Sequence, residues 1–156
     1  MVSAIHHHGG VVDKFIGDAA MAVFGLEGNE ERCDQALRSA FDVHRGLEGL
    51  NRDLVSRVLP EVCLGIGLHF GTAVAGNIGS EQCLEYTVIG DSVNTSSRLE
   101  SLTKELSSPL AVSSDCYNRL SEENREGLEF VGECDLKGNS SKCPVYGLRV
   151  PIETAS

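Results

Sequence analysis

The stretch Gly9-Gly10-Val11-Val12-Asp13-Lys14-Phe15-Ile16-Gly17-Asp18-Ala19-Ala20-Met21-Ala22-Val23-Phe24-Gly25 sets the fold class. Two short, partly β-branched apolar runs flank Gly17-Asp18. Glycine reaches positive φ without steric penalty, and an aspartate side chain bonds its own backbone, so this pair is turn chemistry. A β-hairpin displaying Asp18 at its tip is predicted.

Downstream, Cys33, Ala36, Leu37, Ala40, Phe41, His44, Leu47 and Leu50 recur at steps of three and four. That period predicts one amphipathic helix from about Asn29 to Arg57, with Glu30 and Glu31 near the positive end of its dipole. A second hairpin is expected where Val62 to Phe70 alternates, Gly71 interrupts and Thr72 to Gly79 resumes. Glycines 65, 67, 71, 76 and 79 weaken those strands and point to close backbone approach, by a packed helix or by a ligand or partner chain. Tyr86 to Ile89 then reads as a strand running through Gly90-Asp91 into a helix carrying Val93, Leu99, Leu102 and Leu106. Asp91 suits an N-cap, and Asn94 and Arg98 share one helix face, either solvated or able to receive a phosphorylated ligand.

A strand at Pro109–Ser113 and a short helix near Asp115–Leu120 follow. Leu128–Leu136 and Val145–Val150 are expected to form a closing strand pair, with Lys137 to Lys142 in the loop between. This order predicts an α+β sandwich, helices on a largely antiparallel sheet.

The composition agrees with one soluble domain: 156 residues, 41% hydrophobic and 23% charged. A net charge of −10 argues against nucleic-acid binding through a broad basic face, but not against binding a nucleotide. No run approaches the length of a membrane span, no export signal opens the sequence, and a cytoplasmic location is expected. The six cysteines form no C-x-x-C pair and are expected as free thiols. His6, His7 and His8 are expected on a frayed terminus without a role.

Three blocks resemble a known family, the class III nucleotidyl cyclases, in its order and spacing. They are Lys14-Phe15-Ile16-Gly17-Asp18 with Met21-Ala22-Val23-Phe24-Gly25, Gly90-Asp91-Ser92-Val93-Asn94 with Ser97-Arg98-Leu99-Glu100, and Leu136-Lys137-Gly138. The resemblance implies a ferredoxin-like βαββαβ catalytic core, here over residues 1–150, and a head-to-tail dimer with sites at the subunit interface; Pro151 to Ser156 is expected to be a frayed tail. It implies that Lys14 and Thr87 read the purine, Thr87 resembling the choice of a bacterial subclass of adenylate cyclases. Lysine can donate to adenine N1 while a hydroxyl accepts from the N6 amino group, so the pair favours ATP over GTP. By the same resemblance Asp18 binds Mg²⁺ or Mn²⁺, Asn94 orients the ribose, Arg98 stabilises charge on the α-phosphate and Lys137 lies near the terminal phosphates.

One departure stands out. The family's first metal aspartate lies in an opening Phe-x-Asp-Ile-x-Gly-Phe-Thr strand, and none of the 17 residues before Asp18 fits it. The first strand and the two helices after it are therefore expected to be missing, as in a fragment or a chain begun at a start codon too far downstream, a decayed site, or a chain whose partner supplies the missing strand. Retention of Lys14, Asp18, Thr87, Asn94 and Arg98 favours a fragment of an adenylate cyclase. A catalytically inactive nucleotide-binding or dimerisation module is the alternative.

Overall fold

The computed structural model describes residues 1–28, 30–80, 83–135 and 142–148. The element order is α1 (Val2–His7), β1 (Val11–Ile16), β2 (Ala19–Val23), α2 (Arg32–Ser56), β3 (Ile66–Leu68), β4 (Val74–Ser80), β5 (Cys83–Ile89), α3 (Asp91–Leu102), β6 (Leu110–Ser113), α4 (Ser114–Tyr117), α5 (Glu122–Arg125), β7 (Glu129–Asp135) and β8 (Lys142–Gly147). The architecture is α+β, and among the described residues every strand pairing except β3 with β6 is antiparallel. The chain forms two compact units, Met1–Leu64 with Gly71–Val93, and Gly65–Phe70 with Asn94–Ser156.

In the first unit β1 and β2 form the expected hairpin, Ile16 opposite Ala19. Gly17 takes φ +63° in the two-residue connection, a position where an L side chain is strained. The register slips between Val12 and Lys14, so Asp13 is a bulge residue. The predicted helix is present as α2, although Asn29 lies outside the described residues. Cys33, Leu37, Ala40 and Val43 are buried along it, whereas Leu50 is exposed. The apolar stripe therefore covers a core only over the first half of the helix. Helix α2 ends with Val58 at φ +59° and the Leu59 N–H donating to the Leu54 carbonyl.

The N-terminal histidines correct the sequence expectation. Residues Val2–His7 are helical, Ile5 is buried, and His8 Nε2 lies 2.7 Å from Asp42 Oδ2 on α2. That hydrogen bond holds the Asp42 carboxyl below its usual range.

The expected hairpin of Val62–Phe70 with Thr72–Gly79 is also overturned. β4 pairs with β5, Val74 opposite Ile89, as a separate two-stranded ribbon in the first unit. β3 is only Ile66–Leu68 and belongs to the second unit, parallel to β6. Alternation marks a strand but carries no information on its partner, and a parallel partner is necessarily remote in sequence.

The second unit is a four-stranded sheet in the order β3-β6-β8-β7. β6 is central and every one of its residues is buried, as suits a strand with neighbours on both edges. Leu99 from α3 joins Ala111, Cys134 and Val145 in the core, with Leu102, Leu106 and Val131 packed around them. A Cβ on Gly67 would collide with the Ser96 carbonyl and Glu100 amide of α3, and one on Gly65 would meet Thr103. A packed helix is thus the reason for those two glycines, whereas Gly76 faces open space. The short helix after β6 is α4, capped by Ser113, whose Oγ accepts from the Cys116 N–H. The closing pair is β7 with β8, the latter spanning Lys142–Gly147, while positions 149 and 150 of the expected strand lie outside the described residues; α5 was not foreseen. Residues 149–156, including the predicted tail, lie outside the described residues.

Candidate functional site

Strands β1 and β5 bring Lys14 and Thr87 together from positions 73 residues apart. Lys14 Nζ donates to Thr87 Oγ1 at 2.6 Å, and Thr87 Oγ1 donates to Asp13 Oδ2 at 3.1 Å. Lys14 also pairs with Asp13 at 3.4 Å. The Asp13 side chain is only 4% exposed and Thr87 8%, whereas the Lys14 side chain keeps 29%. Successive side chains of a regular strand point to opposite faces, so the bulge at Asp13 is what lets neighbouring residues 13 and 14 serve one hydroxyl. Sequence reasoning missed Asp13, because a bulge is defined by the register of the partner strand.

The chemistry of this cluster is charge-assisted. A buried carboxylate offsets the ammonium beside it, and both keep the threonine hydroxyl in a set orientation. An apolar cavity of about 190 Å³ near β1 is lined by Asp13, Val11, Tyr86 and Val88 among others. It touches neither Lys14 nor Thr87 and is not the surface those two side chains offer.

Asp18 is exposed in the β1–β2 connection of the same unit. Asp91 opens α3 as its first helical residue rather than its N-cap. That helix start is tied down by Ser92 Oγ, which donates to the Thr72 carbonyl at 2.7 Å. Gly90 holds φ +151° with Thr72 and Ala73 against the place of a side chain, so the turn before α3 needs glycine.

In the second unit Asn94 is exposed on α3 and Arg98, one turn further on, is partly buried. Arg98 Nη1 donates to the Asp135 carbonyl at 3.1 Å, which anchors the guanidinium at the last residue of β7. Lys137 lies outside the described residues. Cys33, Cys63, Cys116, Cys134 and Cys143 are free thiols, and burial pushes the Cys134 thiol up. Among the described residues no group of three or more His, Cys, Asp or Glu side chains could hold a metal ion. No helix among them is long and apolar enough to cross a membrane.

Comparison with known proteins defines the class. The family model described as "Adenylate and Guanylate cyclase catalytic domain" matches residues 4–149, and the chain belongs to that family. It is 34% identical over 154 residues to an adenylate cyclase of Anabaena cylindrica, covering 96% of this chain and 30% of that protein. It is 38% identical over 139 residues to an uncharacterised protein of Mycobacterium tuberculosis, covering 89% of this chain and 25% of that one. The chain thus spans between a quarter and a third of the length of these relatives. Among solved structures, a bacterial light-regulated adenylyl cyclase aligns with TM-score 0.76 and 29% identity, over 94% of this chain and 41% of the other. A crystal structure of an adenylyl cyclase from P. aeruginosa aligns with TM-score 0.78 over 99% of this chain and 79% of the other, at 23% identity, a likeness of fold.

Proposed function

We propose that this chain is the catalytic part of an adenylate cyclase, converting ATP to 3′,5′-cyclic AMP and pyrophosphate in the cytoplasm. The observation that carries this reading is the bond from Lys14 Nζ to Thr87 Oγ1, which joins the two predicted base-reading side chains. Lysine then donates to adenine N1 and the threonine oxygen accepts from the N6 amino group. In the reaction the ribose 3′-hydroxyl loses its proton to water and its oxygen bonds the α-phosphorus. The bond from that phosphorus to the β-phosphate bridging oxygen breaks, and pyrophosphate leaves. Asn94 holds the ribose, Arg98 opposes the charge that builds on the α-phosphate, and Lys137 meets the terminal phosphates.

Asp18 is the residue assigned to hold Mg²⁺ or Mn²⁺. An exposed carboxylate is a hard oxygen donor, and such ions are commonly held by one or two carboxylates together with substrate phosphates. When bound, the ions supply Lewis acidity at the attacking and leaving oxygens. Residues 1–150 are read as one catalytic domain, working as a homodimer or with a cyclase-like partner.

The test is cyclic AMP formation from ATP and Mn²⁺ by the full-length protein, followed by chromatography. Arg98→Ala is expected to lower the rate by about 10²–10³-fold, the usual cost of removing one transition-state charge donor, while melting changes little. ATP binding by a folded dimer that forms no cyclic AMP would replace this reading with that of an inactive nucleotide-binding module.

A further inference from the structure

We infer that Asp13 sharpens the purine preference of this site, beyond what Lys14 contributes at the ring nitrogen, by committing the hydroxyl hydrogen of Thr87, an inference that rests on Lys14 and Thr87 being the base-contacting pair. A threonine hydroxyl has one hydrogen and two lone pairs. Free to rotate, it donates to a guanine O6 as readily as it accepts from an adenine N6 amino group. Threonine at this position is therefore not selective by itself.

Its neighbours remove the freedom. The Lys14 ammonium carries donors only, so the 2.6 Å contact uses a lone pair of Thr87 Oγ1. The Asp13 carboxylate oxygen accepts from Thr87 Oγ1 at 3.1 Å, so that contact uses the single hydroxyl hydrogen. One lone pair is left. The hydroxyl thus presents an acceptor and nothing else, which matches the adenine amino group and sets lone pair against lone pair at guanine O6. A buried polar atom left without its partner is costly, and sites that hydrogen-bond one group discriminate strongly against its reverse.

The strand geometry is specific to this task. Asp13 occupies the bulge of β1, where the register slips, and its side chain is almost wholly buried against the pair it serves. A carboxylate needed only to balance the charge of Lys14 has no reason to accept from Thr87 as well. Asp13 is in this sense a positioning residue, acting on the base through Thr87.

The experiment measures equilibrium binding of 3′-deoxy-ATP and 3′-deoxy-GTP, which lack the attacking hydroxyl, to the full-length protein and its variants. Asp13→Asn keeps the shape but can turn an amide N–H toward Thr87 Oγ1, which frees the hydroxyl hydrogen to point outward. The adenine-over-guanine affinity ratio is expected to fall by about tenfold or more, chiefly through tighter guanine binding. In a Thr87→Val background the same change should leave the ratio unmoved, because no hydroxyl remains to orient. Equal loss of both affinities in Asp13→Asn, with the ratio intact, would reduce Asp13 to a structural partner and overturn the inference. Should that variant not fold, Thr87→Ser decides: its hydroxyl can make the same bond and must keep the preference, so a folded Thr87→Ser without preference also overturns it. If the unmutated protein binds neither nucleotide, the proposed function itself fails and takes this inference with it. An adenine-over-guanine ratio that Asp13→Asn leaves unchanged removes this inference alone.

Discussion

In the unit built on the four-stranded sheet, Leu99, Leu110, Val112 and Val145 are fully buried and hydrophobic packing spans sheet and helix. The unit that carries Lys14 and Thr87 is made differently. Its strands are two two-stranded ribbons, and on β1 Phe15 and Ile16 remain 62% and 61% exposed. A two-stranded hairpin alone is marginal in water. What joins these ribbons includes a hydrogen-bonded charge cluster, Asp13, Lys14 and Thr87, in place of a dense apolar core. One region supplies stability through burial; the other holds polar groups in a set arrangement, as the proposed base-reading role would require.

Three substitutions probe the contrast. Leu99→Ala removes the helix side chain at the centre of the sheet core and should cost roughly 2–5 kcal/mol in urea unfolding. A loss well under 1 kcal/mol would mean that stability does not reside where burial places it. A pH effect comes next. Burial holds the His69 ring below its ordinary value of 6.5, against the pull of Asp115. His69 Nδ1 lies 2.9 Å from Ser113 Oγ, and because that oxygen already accepts from Cys116 N–H, its hydrogen can serve a neutral ring. The unfolded chain therefore binds the proton more readily than the fold. Stability present above pH 6.5 declines as pH falls from there toward the lower folded value. His69→Asn, which keeps an acceptor near Nδ1, should flatten part of this decline in melting temperature; an unchanged acid slope would assign it to other groups.

The smallest effect belongs to the first unit. Val58 is 93% exposed and sits at φ +59°, a conformation that suits glycine and burdens a β-branched side chain. Val58→Gly should gain about 0.5–1 kcal/mol, because relieved strain outweighs added chain entropy and no buried surface is lost. A net loss in thermal unfolding would show that the turn after α2 carries no such strain.

Local chemistry was readable where its cause is local. Gly17-Asp18 announces its hairpin because a two-residue connection needs a residue tolerant of positive φ, and α2 announces itself by its period. Legibility ends where a partner matters. β3 looked like half of a hairpin, yet it lies parallel to β6, with Ile66 opposite Leu110. Helix α1 was missed because its anchors, buried Ile5 and the His8 contact to Asp42, depend on α2.

The candidate site divides along the same line. Residue types and spacing were enough to single out Lys14, Asp18, Thr87, Asn94 and Arg98 through the resemblance, and to set the α+β class. They could not reveal that Asp13 is bulged and buried under Thr87, nor that Arg98 is anchored on the Asp135 carbonyl. The amino-acid sequence determined which groups can donate, accept or turn the chain, since those are properties of single residues and their near neighbours. Which lone pair or hydrogen each group keeps free was decided only in three dimensions, because strand register and burial set who meets whom.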